Sequence, residues 1–190
     1  MPTTPTDYEY QRFTAAETEQ LVDLLTGERW PYHGPHGMTP DTVRRKVAEG
    51  DFDSESTQTF WIIGSDGGRD GERIGLLRIW DLADDTPMFD IRIRAAHRGH
   101  GIGVQAIVWL TEYVFTNFAI AHRIEGTTRQ DNVAMRKVFR RCGYVKESHY
   151  RDAWAGAGGV VYDSIGYAVL RRDWVSGAMT PVEWDDEPGD

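Results

Sequence analysis

The stretch Arg98-Gly99-His100-Gly101-Ile102-Gly103 sets a cationic side chain and three glycines between an expected strand and an expected helix. Such a turn leaves backbone N–H groups bare beside the positive end of the helix dipole, an anion site suited to pyrophosphate. Glycine turns also arise for steric reasons alone, so the pattern needs company. A dinucleotide fingerprint is the first alternative, with Glu125 on the following strand as the ribose-binding acid. It fits badly, because the spacing is G-x-G-x-G and Ala95-Ala96-His97-Arg98 separates it from the strand. A second group is the loop Trp30-Pro31-Tyr32-His33-Gly34-Pro35-His36-Gly37, too broken by Pro and Gly for regular structure yet loaded with aromatic and imidazole groups. Trp30, His33 and His36 are its candidate substrate-binding residues. Cys142 has no paired His placed by sequence and reads as packing rather than as a nucleophile.

Those groups need elements to hold them. Thr14-Ala15-Ala16-Glu17 is a capping box, and a first helix is expected from about Ala15 to Leu25. Thr39 as N-cap with Pro40 behind it opens a second helix, closed by Gly50. Thr57 to Ile63 and Arg73 to Trp80 form a hairpin about Ser65-Asp66-Gly67-Gly68, and Met88 to Arg94 is a further strand. The helix from Ile102 to Phe118 carries Ile107, Leu110, Val114 and Phe118 at helical spacing. A strand follows at His122 to Thr128, then a helix capped by Asp131-Asn132, with an apolar stripe of Ala134, Val138 and Cys142 ending at Gly143. Tyr144 to Arg151 and Val160 to Leu170 are the last strands.

The chain has 190 residues, 40% apolar and 27% charged, which suits one globular domain over 1–175 with an acidic, flexible tail over 176–190. No apolar run is long enough for a bilayer and the N-terminus has no signal-like region, so a cytoplasmic protein without membrane attachment is expected. One cysteine allows no internal disulfide and no zinc-ribbon spacing, and no metal is expected. Residues 92–151 carry a formal charge of +7 and the remainder −16. An acidic body argues against nucleic acid as a partner, while one basic segment suits a small polyanion. The acidic remainder suggests a cationic acceptor such as a polyamine, an aminoglycoside or a protein N-terminus.

Phe89-Asp90-Ile91-Arg92-Ile93, the glycine loop, Asp131-Asn132-Val133-Ala134-Met135-Arg136-Lys137-Val138 and Cys142-Gly143-Tyr144 occur in an order that resembles the GNAT acetyltransferase superfamily. Together with the closing Tyr167 to Trp174, they are most similar to its Rim-type branch of ribosomal-protein N-terminal acetylases. The resemblance implies an α+β fold with a mixed, mostly antiparallel, splayed sheet flanked by helices on both faces. It implies acetyl-CoA as co-substrate between strands 88–94 and 122–128. Pantetheine would pair with Ile91, Arg92 and Ile93, and the pyrophosphate would lie in Arg98, Gly99, His100, Gly101, Ile102 and Gly103. Asn132 would hold pantetheine as well as cap its helix, and Arg136 and Lys137 would meet the nucleotide phosphates. Arg136 with Arg140 and Lys137 with Arg141 are like-charge i,i+4 pairs that a phosphate would relieve.

The implied reaction is attack of a neutral primary amine, on a small molecule or a protein N-terminus, on the thioester in a ternary complex. Asp90 is the first candidate for the base that takes the ammonium proton, and Glu125 the second. The family often places a Tyr where this chain has Phe139, so the group protonating the leaving thiolate is not assigned; Tyr144 is a substitute, though a core role suits it better. That departure keeps open a non-catalytic CoA-binding module, and the glycine loop keeps open a nucleotide-dependent oxidoreductase that would bind NAD. A homodimer is the assembly considered.

Overall fold

The computed structural model describes residues 8–33, 38–64 and 71–184. Seven strands form one sheet: β1 (Tyr8–Arg12), β2 (Gln58–Gly64), β3 (Glu72–Trp80), β4 (Met88–Ile93), β5 (Arg123–Arg129), β6 (Val145–Ala155) and β7 (Val161–Leu170), in spatial order β1-β2-β3-β4-β5-β7-β6. All neighbours are antiparallel except β4 and β5, which are parallel and share a single register pair, Met88 with Glu125. Beyond that pair the two strands part. A lone parallel contact in a meandering sheet is not the doubly wound parallel sheet a dinucleotide fold requires, so the oxidoreductase reading falls.

Helices cover both faces. α1 (Thr18–Thr26) and α2 (Pro40–Ala48) lie on one, where Leu21, Leu24 and Val43 pack with Phe13, Trp61, Ile63 and Leu76. α3 (Ile102–Asn117) and α4 (Val133–Arg141) cover the other, where Ile107, Leu110, Val114 and Phe139 pack with Ile62, Leu77, Phe89 and Ile124. Successive strand residues therefore alternate between two cores, which fixes the register.

The expected elements are present with small shifts. The capping box at Thr14 and Glu17 opens a 3-10 turn before α1, and Thr39 Oγ1 accepts from the Thr42 N–H at the head of α2. The turn Ser65 to Gly68 lies outside the described residues. Two elements had no counterpart in the sequence reading. The edge strand β1 is mostly polar, and its anchor is Tyr10, stacked on Trp109 at 4.2 Å. The short α5 (Arg171–Ser176) begins with Arg171, whose guanidinium donates to the carbonyls of Phe115, Phe118 and Ala121 and so closes the end of α3. The stripe on α4 also differs: Ala134 is exposed, and Phe139, with Met135, Val138 and Cys142, forms the inner face. Residues 177–184, expected in a loose tail, are tied back where Asp173 accepts from the Thr180 N–H and hydroxyl and where Lys146 lies over Trp184.

Candidate functional site

The parting of β4 and β5 creates the site. Arg94 donates to Ile74 on the β3 side, and Pro87 accepts from Glu125 on the β5 side. Backbone groups alternate along a strand, so Ile91 and Ile93 turn their N–H and C=O groups toward the gap. Side chains meet two of them there: His33 Nε2 lies 3.1 Å from the Ile91 carbonyl, and Arg98 Nε donates to the Ile93 carbonyl at 2.7 Å.

At the end of the gap the chain turns into α3 through the glycine loop. Gly99 and Gly101 have φ of 88° and 84°, and Gly101 is the N-cap of α3 without any side-chain cap. Nothing lies within 4 Å of a Cβ built on either, so these two glycines are required by backbone conformation in an open cradle. Gly103 differs, since its Cβ would sit 3.3 Å from Val138, and it sets the close approach of α3 to α4. Bare N–H groups and the helix dipole make this cradle chemically fit for pyrophosphate. Arg98 stands at its mouth over the face of Trp30, 5.3 Å from the ring centroid, and His100 Nδ1 lies 3.3 Å from the His97 carbonyl.

Beside the gap is a polar cluster. Asp90 and Arg92 share one face of β4, and Arg92 Nε donates to Asp90 at 2.9 Å. His33 Nε2 is 3.0 Å from the other Asp90 oxygen, while its Nδ1 is buried without a partner. Two acceptors on Nε2 mean that Nε2 carries the hydrogen. In the neutral ring of that tautomer the lone pair stands on Nδ1. Burial raises the Asp90 carboxyl, but His33 and then Arg92 outweigh it and hold the acid well below the usual carboxylate range. Trp30 completes the cluster, edge-on to His33 at 5.8 Å and under Arg92 at 5.7 Å. Two adjoining cavities of about 350 and 330 Å³ meet here, both lined by His33, Arg92 and Trp154.

The other expected residues lie as follows. Asn132 caps α4 through the Met135 N–H and donates to Thr128 Oγ1, and it lines the second cavity. Arg136 donates to the Gln130 carbonyl and to Tyr167 Oη through Nη1 and Nε. Lys137 is exposed with no ion pair among the described residues. Glu125 sits at the closed end of the β4–β5 junction, paired with Arg123 at 2.7 Å, and lines neither cavity. His36 lies outside the described residues. Phe139 is stacked flat on Tyr167 at 4.6 Å. Tyr144 is a core residue, with its ring against Phe89 and its hydroxyl on Thr111 at 2.9 Å, and burial pushes its phenol far up. Cys142, pushed up to about 12 by burial, is an inert thiol.

Sequence reasoning missed Arg78, Trp80, Arg129 and Trp154, which also line the cavities. Arg129 lies between Tyr32 and Tyr162, 4.7 and 4.0 Å from their rings, and donates to the Pro31 carbonyl, which ties the loop to β5. Arg78 had a visible signal: it is a single charge in the otherwise apolar run Gly75-Leu76-Leu77-Arg78-Ile79-Trp80.

Residues 9–145 match the GNAT acetyltransferase domain, and the chain belongs to that family of acetyltransferases. Among solved structures it is similar to spermidine N-acetyltransferases of Vibrio cholerae. A chimera of that SpeG protein with hSSAT superposes with a TM-score of 0.77 at 17% identity, covering 90% of this chain and 99% of that one. The enzyme in complex with CoA and spermine gives 0.73 at 17% identity, over 89% and 98%. A dodecameric form in an intermediate state gives 0.74 at 17%, over 90% and 98%. No curated protein sequence matches the chain. Among the described residues no helix is long and apolar enough to cross a membrane, and no group of three or more His, Cys, Asp and Glu could hold a metal ion.

Proposed function

We propose that this protein transfers an acetyl group from acetyl-CoA to a primary amine by direct attack in a ternary complex. The observation that carries this is the parting of β4 and β5 beside an open glycine cradle at the head of α3. The co-substrate supplies an activated thioester. Ile91 and Ile93 offer it backbone pairing, Arg98 and the loop Gly99 to Gly103 offer its pyrophosphate N–H groups and a cation, and Asn132 flanks the pantetheine. A backbone N–H of this strand is positioned to polarise the acyl oxygen. Lys137 and Arg136 keep their assignment to the nucleotide phosphates, Lys137 with no ion pair among the described residues and Arg136 oriented by the Gln130 carbonyl and Tyr167 Oη.

The proton acceptor shifts from Asp90 to its partner. An acid held as an anion by the Arg92 guanidinium and the N–H of His33 has little tendency to take a proton from an ammonium group. His33 has a lone pair on Nδ1, and Asp90 fixes that tautomer by accepting from Nε2–H, an arrangement of base and orienting acid. Glu125, away from the cavities, is not assigned. With a phenyl ring at position 139, the leaving thiolate takes its proton from water.

The motif order supports placement in the Rim-type branch. A cytoplasmic setting and a homodimer complete the proposal, the assembly to be checked by light scattering; the dodecamer belongs to the SpeG structure. Phe139 favours a second reading, a module that binds CoA without turnover. Thiol release with a panel of primary amines separates the two: release above the amine-free background supports transfer, while acetyl-CoA binding with no release from any amine supports the module.

A further inference from the structure

Arg78 is a cation without a counterion. It stands on β3 directly across the ladder from Asp90 and lines the same cavity. Its Nε is buried with no hydrogen-bond partner, and no carboxylate among the described residues lies within ion-pair distance of it. The guanidinium carbon is flanked by the rings of Phe52 and Trp80, 5.1 and 5.4 Å from their centroids. The nearby charges are already committed: Asp51 is paired with Lys46 at 2.5 Å, and Asp90 with His33 and Arg92. Burial accordingly pulls Arg78 below its usual value, opposed by the charges of Asp51 and Asp90 and aided by that of Arg92. A half-buried guanidinium left in this condition costs stability, and sites that leave donors unpaired gain when a complementary ligand supplies the acceptor.

The adjoining cavity adds one cation with no ion pair among the described residues, Arg29. Arg92 and Arg129 also line it, already paired with Asp90 and Asp131, and its one carboxylate, Glu28, accepts from the Ala95 N–H and lies 3.6 and 3.8 Å from Arg94 and Arg98. A polyamine would bring several positive charges into a space whose carboxylates are occupied and whose open charge is positive. Like-charge juxtaposition of that kind works against a partner.

We infer that the acceptor is an amine that also bears a carboxylate, bound through Arg78, with an apolar body against Trp80 and Trp154. This rests on the acetyl-transfer reading and names the substrate class for it. It departs from the spermine and spermidine named for the solved structures of similar fold.

The test is CoA release from acetyl-CoA with four acceptors: phenylalanine, phenylalaninamide, phenethylamine and spermidine. The first three share a ring and a primary amine and differ in the carboxylate. The amide has the less basic amine, so a preference for the acid does not come from a larger neutral fraction. The expected kcat/KM for phenylalanine exceeds that of each of the others by at least about tenfold, the scale of one hydrogen bond to a charged group. Arg78→Gln should raise the KM for phenylalanine by about 10- to 100-fold, with the KM values for acetyl-CoA and phenylalaninamide unchanged, and Arg78→Lys should recover part of the loss. Spermidine as the best acceptor, equal use of acid and amide, or an equal effect of Arg78→Gln on both would overturn the inference. Acetyl-CoA binding with no release from any of the four would instead overturn the transfer reading beneath it. A thermal midpoint for each variant within a few degrees of the parent shows that it is folded.

Discussion

The two faces of β4 are one residue apart and chemically opposite. Phe89, Ile91 and Ile93 pack against the α3 and α4 layer, while Asp90 and Arg92 face the other way, bonded to each other and to His33. The alternation of a strand thus lays an apolar wall and a proton-handling cluster on either side of one backbone, and the parting of β5 opens that backbone between them. Substitutions on the polar face should cost more in rate than in stability; those on the apolar face should do the reverse.

The largest effect expected is on rate. His33→Gln should lower kcat by about 10²- to 10⁴-fold, the usual worth of a positioned base. Steady-state CoA release measures it, and an unchanged rate would remove His33 as proton acceptor. Asp90→Asn should cost less, because the imidazole remains and only its orientation weakens. Phe139→Ala should cost about 3–5 kcal/mol of stability in urea unfolding, since the ring is buried and stacked on Tyr167. Gly126→Ala comes next at about 1–3 kcal/mol, as its Cβ would stand 2.7 Å from Phe139 and 2.9 Å from Phe89. Tyr144→Phe should cost about 1 kcal/mol, the bond to Thr111, with no loss of rate.

A pH titration of stability sharpens the same contrast. The folded-state pKa of Asp90 is lowered, so its stabilising contribution is complete above its unfolded-state pKa of about 3.9 and is lost progressively as pH falls below it toward the folded-state value. Asp90→Asn should therefore lower stability at neutral pH and flatten its acid limb, as followed by thermal unfolding from pH 7 downward. A parallel acid limb in the variant would mean that the His33 and Arg92 pairings add nothing to folding.

Much of the scaffold was legible because its signals are local. Thr14 with Glu17 and Thr39 with Pro40 mark helix starts through capping chemistry, and the Gly99 to Gly103 spacing marks a turn whose φ values demand glycine. The edge strand β1 escaped because its alternation, Tyr8-Glu9-Tyr10-Gln11, rests on only two amphipathic aromatics, and its anchor is Tyr10 on Trp109, a contact 99 positions away in sequence. Residues of the site were legible one by one, and their partnerships were not. Asp90 looked like a free carboxylate because the sequence does not show His33 reaching back across 57 residues to bond it. Arg136 shows the same gap, since its bonds to the carbonyl of Gln130 and the hydroxyl of Tyr167 are set by folding. Arg78 is the reverse case, a charge whose importance lies in lacking a partner.

The most direct test of the cofactor site is thermal unfolding with and without acetyl-CoA, with NAD alongside. Acetyl-CoA at about 100 times its dissociation constant should add about 2.7 kcal/mol, which for a domain of this size raises the midpoint by about 5–10 °C. NAD should leave it unmoved. A shift with acetyl-CoA alone would place the co-substrate on the Arg98 to Gly103 cradle, and loss of that shift in Gly101→Val would confirm the address. No shift at saturating acetyl-CoA would contradict the assignment of that cradle and of the gap between β4 and β5.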